Sequence, residues 1–145
     1  KAPVEVGEQV SYAVFRTAIE TGDKLKAAAP KAFSTLTNSI KPDRINRFEW
    51  RVGPHVNYAK AVEGGREPGK MPPISSILAW VKTKKIAADG RAAHNAAWAI
   101  AKKIGREGVK KQPFVKPLVD SGWPQNRLAQ LANKGVKDGL KMAGL

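Results

Sequence analysis

Arg47-Phe48-Glu49-Trp50-Arg51-Val52 is the stretch whose reading decides the fold class. Phe48, Trp50 and Val52 alternate with Arg47, Glu49 and Arg51, the period of two that places one face of a strand on a core and the other in water. The longer patterned segments elsewhere repeat their apolar residues at three- and four-residue intervals, so the chain reads as helical with one small β element. The alternation predicts a strand over residues 47–52. Residues 36–40 are its expected hairpin partner, reached across Pro42 and Asp43.

Upstream, residues 6–29 contain no proline and put Val10, Val14, Ala18 and Leu25 on one helical stripe, widened by Phe15 and Ile19. Pro30 ends that helix, because proline restricts the residue before it and has no N–H to donate. Downstream, residues 58–62 suit a short helical turn, and Gly64, Gly65, Pro68, Gly69, Pro72 and Pro73 make an irregular loop. Ile74, Ile77, Leu78 and Val81 then recur as i, i+3, i+4 and i+7, with Lys82, Lys84 and Lys85 towards the other side. Beyond Gly90, residues 91–104 turn Ala93, Ala97, Ile100, Ala101 and Ile104 inward, and Gly105 and Gly108 stop the helix. A last helix after Pro124 carries Leu128, Leu131, Ala132, Val136 and Leu140 on one stripe. The expected architecture is α+β, a helix-rich single domain over residues 1–145 with about four main helices and a small β-hairpin or sheet.

The length of 145 residues suits one core, and 42% hydrophobic with 26% charged residues is the balance of a folded chain. Charge is the outlier. Lys and Arg number 26 against 12 Asp and Glu, a net +14, which points to anionic partners. Half of that excess lies in residues 71–111, where nine basic residues meet only Asp89 and Glu107. Cysteine is absent, so disulfide and thiol chemistry are excluded. Apolar runs such as residues 77–81 fall far short of the roughly 20 residues that span a bilayer, and the chain reads as soluble.

Catalytic chemistry finds little footing. His55 and His94 are the only histidines, too few without cysteine for an N/S metal site. No G-x-S-x-G elbow singles out a serine, and Glu5, Glu8, Glu20 and Asp23 read as solvated positions around the first helix. Gly64, Gly69 and Lys70 spell the start of a phosphate-binding loop, but Met71 stands where a magnesium-binding hydroxyl belongs, and Pro72 and Pro73 remove two N–H donors. Neither an enzyme nor a cofactor is expected. Gly105-Arg106-Glu107-Gly108 is a G-x-x-G after an apolar helix, like the backbone clamp of KH domains, though Pro113 cuts short the helix that should follow.

Two stretches read together carry a family resemblance. Tyr58-Ala59-Lys60-Ala61-Val62-Glu63-Gly64-Gly65-Arg66, then Pro72-Pro73, then Leu78-Ala79-Trp80-Val81, resembles the Y-A-x-x-V-E-x-G-[TS]-R, P-P, L-x-x-W-V signature of bacteriophage tail-completion proteins, tail components of long-tailed phages. Ala28-Ala29-Pro30 and Ser39-Ile40 upstream, and residues 97–108 with Pro113-Phe114 downstream, fall in the same order as that family's segments, so the likeness spans roughly residues 10–120. Gly65 replaces the usual Thr or Ser, and Thr35-Leu36 lacks the family's preceding glycine. The segment Gly122-Trp123-Pro124 has no counterpart in the signature.

The resemblance implies a structural virion protein of the neck, joining the tail tube or tail terminator to the head connector and completing the tail, without catalysis. It implies other neck and tail proteins as partners, a homo-oligomeric ring that is hexameric like the tail tube, and no membrane. It implies a place in the virion at the tail or neck, with assembly in the host cytoplasm. Interface residues are then Tyr58, Glu63, Arg66, Pro72, Pro73, Trp80 and Phe114, with Arg66 pairing Glu63 or a neighbouring subunit. Lys82, Lys84, Lys85, Lys102, Lys103 and Arg106 are expected to meet acidic partners or, non-specifically, DNA. The competing reading is a small basic nucleic-acid-binding module using the KH-like G-x-x-G loop.

Overall fold

The computed structural model describes residues 2–31, 34–87 and 90–145, and Asp89 of the basic stretch lies outside them. Among the described residues the order is α1 (Ala2–Ala28), α2 (Ser34–Ser39), β1 (Lys41–Asn46), β2 (Glu49–Gly53), α3 (Ala59–Gly64), α4 (Ile74–Thr83), α5 (Arg91–Glu107), α6 (Val115–Asp120) and α7 (Trp123–Met142). The chain is therefore helix-rich α+β, with seven helices and one two-stranded antiparallel sheet among the described residues. No described helix is long and apolar enough to cross a membrane. Two compact units emerge from the contacts: Lys1–Val56 with Phe114–Leu145, and Asn57–Pro113.

The first unit is built on α1 packed along α7. α1 begins earlier than its apolar stripe predicts, with Pro3 tolerated in the first turn, where its missing N–H has no helical partner to lose. Its buried face is Ala13, Thr17, Ala18, Gly22 and Leu25, while Phe15 and Ile19, expected to widen the core stripe, are half-exposed. Near the start of α1, α7 approaches on glycines. A Cβ built on Gly139 would lie 2.8 Å from the Val6 Cα, and one on Gly135 would lie 3.0 Å from the Gln9 carbonyl oxygen. Val136 and Leu140, expected inside, are accordingly more than a third exposed. Arg127 forks onto Glu20 with hydrogen bonds of 2.9 and 3.0 Å, and the Lys24 ammonium sits 4.6 Å from the Trp123 ring centre. Gly122, left-handed at φ 71°, turns the chain from α6 into α7, so the Gly122-Trp123-Pro124 segment opens that helix.

The hairpin differs from its expected pairing. Residues 36–40 are not its partner strand: Ser34–Ser39 is helical, and Leu36 and Ile40 are both fully buried. The strands that pair are β1 and β2, in a register of Pro42 with Val52 and Arg44 with Trp50. Arg47 and Phe48, read as strand, form the turn, where the Asn46 Oδ1 accepts the Phe48 N–H at 2.9 Å. Pro42 is harmless because a two-stranded sheet leaves every strand an open edge. Trp50 and Val52 share one face, which turns to α1: Trp50 meets Phe15, and the Val52 Cγ1 would lie 3.7 Å from a Cβ on Gly22.

The second unit is a helical hairpin with a pinned loop. Val81, Ala93 and Ala97 form its dry centre, with Ile74, Ile77, Leu78, Trp80 and Ile100 packed around them, as the spacing predicts. α5 runs past its expected end to Glu107, so Gly105 is a buried helical residue rather than a stop. Gly108 is the cap, at φ 75°, a backbone state that glycine adopts without a Cβ penalty.

Candidate functional site

The central stretch of the family resemblance, from Tyr58 to Val81, folds into the second unit around the loop that follows α3. Arg66 and Val109 exchange both backbone hydrogen bonds, at 2.9 and 2.7 Å, and the Gly69 N–H donates to the Gly105 carbonyl at 2.7 Å. The Gln112 N–H donates to the Val62 carbonyl at 2.8 Å. Residues 65–71 are thus tied by their backbone to the end of α5 and the strand-like segment after it. The Arg66 guanidinium closes the loop on itself by donating to the Lys70 carbonyl at 2.9 Å. Tyr58 is the N-cap residue of α3 and Glu63 lies within that helix. Pro73 precedes α4 as its N-cap residue, and Pro72 is half-buried just before it. Trp80 packs on the Val81 cluster, with its indole Nε1 buried and without a hydrogen-bond partner among the described residues.

Phe114 stands apart from that group. Expected at an interface, it is 1% exposed within this chain and belongs to the first unit, so its role here is packing. Among the basic residues, Lys82, Lys85, Lys102, Lys103 and Arg106 are exposed and Lys84 is half-buried. Lys84 and Lys85 close α4 through backbone bonds, the latter at φ 53°, while Arg106 pairs with its neighbour Glu107 at 3.3 Å.

Both glycines of the G-x-x-G are covered. A Cβ on Gly105 would lie 2.9 Å from the Met71 Cγ, and one on Gly108 would run into the Arg66 carbonyl oxygen and Pro68. The Gly64 to Lys70 match to a phosphate loop is likewise committed, since the Gly69 N–H is already given to Gly105. Among the described residues no group of three His, Asp or Glu side chains could hold a metal ion.

The site that sequence reasoning missed lies in the first unit, where α1 faces the hairpin. An open groove of about 410 Å³ is lined by Glu8, Ser11, Tyr12 and Phe15 from α1, and by Arg44, Arg47 and Trp50 from the hairpin. Phe15 and Trp50 meet edge to face at 5.3 Å, and Tyr12 lies 6.3 Å from Phe15, so three neighbouring rings line the groove. Tyr12 is 58% exposed and Phe15 40%, while Trp50 is half-buried. Neither Arg44 nor Arg47 forms an ion pair among the described residues, and Arg47 lies over the Phe48 ring at 5.2 Å. The sequence signal was the interleaving of arginine and aromatic residues in Arg44-Ile45-Asn46-Arg47-Phe48-Glu49-Trp50. The strand reading sent Arg47 to the face opposite Trp50, whereas the turn at residues 47–48 brings both to the groove.

Comparison with family models, with curated proteins and with solved structures gives no match for this chain.

Proposed function

We propose that the protein is a structural component of the neck of a long-tailed phage, of the tail-completion type, working by contact rather than by turnover. The observation that carries this reading is the ordered set of signature residues from Tyr58 to Trp80, together with the way the chain holds them. Tyr58, Glu63, Arg66, Pro72, Pro73 and Trp80 all fall within Asn57–Pro113. The loop between the two halves of the signature is held by paired backbone bonds, yet its residues 67–71 are exposed. A loop ordered before contact loses little entropy on docking, which suits an element that must fit a partner in a ring. In this reading the loop meets a tail terminator, tail tube or head connector, and the subunits close into a hexameric ring in the virion. The exposed lysines of α4 and α5 face acidic neighbours or the DNA passage.

The KH-like alternative draws no support from the geometry. A phosphate backbone would have to reach glycine α-carbons that Met71, Arg66 and Pro68 already cover. Disrupting the gene in the phage that carries it and imaging the lysate tests the neck reading. Unjoined heads and tails, restored to joined particles by the intact gene in trans, are expected. Normal particles from the disrupted gene would sink it.

A further inference from the structure

We propose that the groove between α1 and the β-hairpin binds single-stranded nucleic acid, with bases stacked on the Tyr12, Phe15 and Trp50 rings and phosphates held by Arg44 and Arg47. The inference stands independently of the neck reading and uses none of the residues on which that reading rests. Three observations converge on it.

The groove holds about 410 Å³ and is open to solvent, room for a nucleotide. Tyr12 and Phe15, 58% and 40% exposed, are accessible for stacking, and base–aromatic stacking accepts any base because every base has a π-face. The groove's cations are arginines, whose planar fork matches phosphate oxygens. Four carboxylates elsewhere in this unit are engaged, Glu20 by Arg127, Asp43 by His55, Asp120 by Lys116 and Asp138 by Lys134, whereas Glu5 keeps a buried oxygen without a hydrogen-bond partner among the described residues. Arg44 and Arg47 form no such pair among the described residues, in a chain with a net charge of +14.

Among the described residues, Glu8 is the one carboxylate lining the groove. Its charge opposes a phosphate directly beside it, and Arg44 and Arg47 supply the balancing positive charge. Duplex DNA fits poorly, because its stacked bases cannot reach the aromatic rings without being unpaired. An acidic protein segment would satisfy the arginines but makes no particular use of three rings.

The test is fluorescence-anisotropy titration of the full chain with a labelled eight-nucleotide single strand, at several salt concentrations. Arg44→Ala with Arg47→Ala should weaken binding at least tenfold. Losing two phosphate contacts should also flatten the slope of log K against log salt by about 1.4, at roughly 0.7 per contact for single strands. Tyr12→Ala, which leaves the charge unchanged, should weaken binding several-fold with the slope intact. These side chains are exposed, so the variants should unfold at the denaturant midpoint of the parent. Lys82→Ala, Lys84→Ala and Lys85→Ala together serve as the comparison and should cost less than the arginine pair. The proposal is overturned if the arginine variant binds like the parent, if Tyr12→Ala changes nothing, or if the lysine variant takes the larger loss. Equal competition by a duplex or by polyglutamate of matched charge would also overturn it.

Discussion

Replacing Gly139 by alanine tests the claim that α1 and α7 pack through their backbones. A Cβ at Gly139 falls 2.8 Å from the Val6 Cα, 2.9 Å from the Val6 nitrogen and 3.1 Å from the Glu5 carbonyl carbon. Ordinary carbon contacts lie at about 3.5–4.0 Å, so the helices must part locally by roughly 0.7 Å or more. The obstacle is main chain on both sides and cannot rotate away. Overpacking of this kind costs about 1–3 kcal/mol, and alanine recovers about 1 kcal/mol over glycine in a helix interior. With rigid partners the cost lies towards its upper end, leaving Gly139→Ala destabilised by about 1–2 kcal/mol. At Gly22 the same substitution meets only the Val52 Cγ1 at 3.7 Å and the Pro42 Cδ at 3.8 Å, an ordinary contact. Gly22→Ala should therefore stabilise by about 1 kcal/mol, through helix propensity and a less flexible unfolded chain. Urea unfolding followed by circular dichroism reads both variants on one protein. If Gly139→Ala stabilises as Gly22→Ala does, the close approach of α1 and α7 is wrong.

Three further outcomes follow from the geometry. The hydrogen bonds from Arg127 hold the Glu20 carboxyl below its ordinary range, outweighing the opposing effect of desolvation. The folded state then binds that proton less readily than the unfolded chain, so this contribution is complete above the ordinary carboxylate range and is lost as pH falls through the lowered value. Acid unfolding of Glu20→Gln should show a shallower pH dependence than the parent, and an unchanged profile would contradict the pairing. Arg66→Ala removes one exposed hydrogen bond to the Lys70 carbonyl, so stability should change by only about 0–1 kcal/mol. In the neck reading the same variant lowers the yield of joined particles, and undiminished yields would take Arg66 out of the interface. The purified chain should sediment as a monomer at physiological salt, because its net +14 makes identical subunits repel. A stable hexamer without a partner would show that self-association, rather than templating by the neck, builds the ring.

How far the sequence could be read follows from particular residues. The helical hairpin of α4 and α5 was legible because Ile74, Ile77, Leu78 and Val81 face Ala93 and Ala97 in the order their spacing predicts. The α2 segment was not, because Leu36 and Ile40 are four apart, a spacing in phase with both a strand and a helix. The turn carried its own signal in Asn46, whose side chain mimics a backbone turn, but the stronger proline and aspartate at 42–43 drew the hairpin to the wrong place. On α7, Leu128, Leu131 and Val136 drew attention from Gly135 and Gly139, because a hydrophobic pattern cannot show that two backbones touch. The signature residues near Tyr58 and Trp80 were visible as letters in order. The groove was not, since it needs Tyr12 and Phe15 left uncovered by α7 and Arg47 turned at the hairpin tip.

The neck proposal is tested most directly by the position of this chain in purified particles, read by gold-labelled antibody in electron micrographs of a phage carrying the gene. The account predicts label confined to the junction of head and tail, in intact virions and on detached tails. Label absent from purified particles while the protein is abundant in the lysate would contradict it.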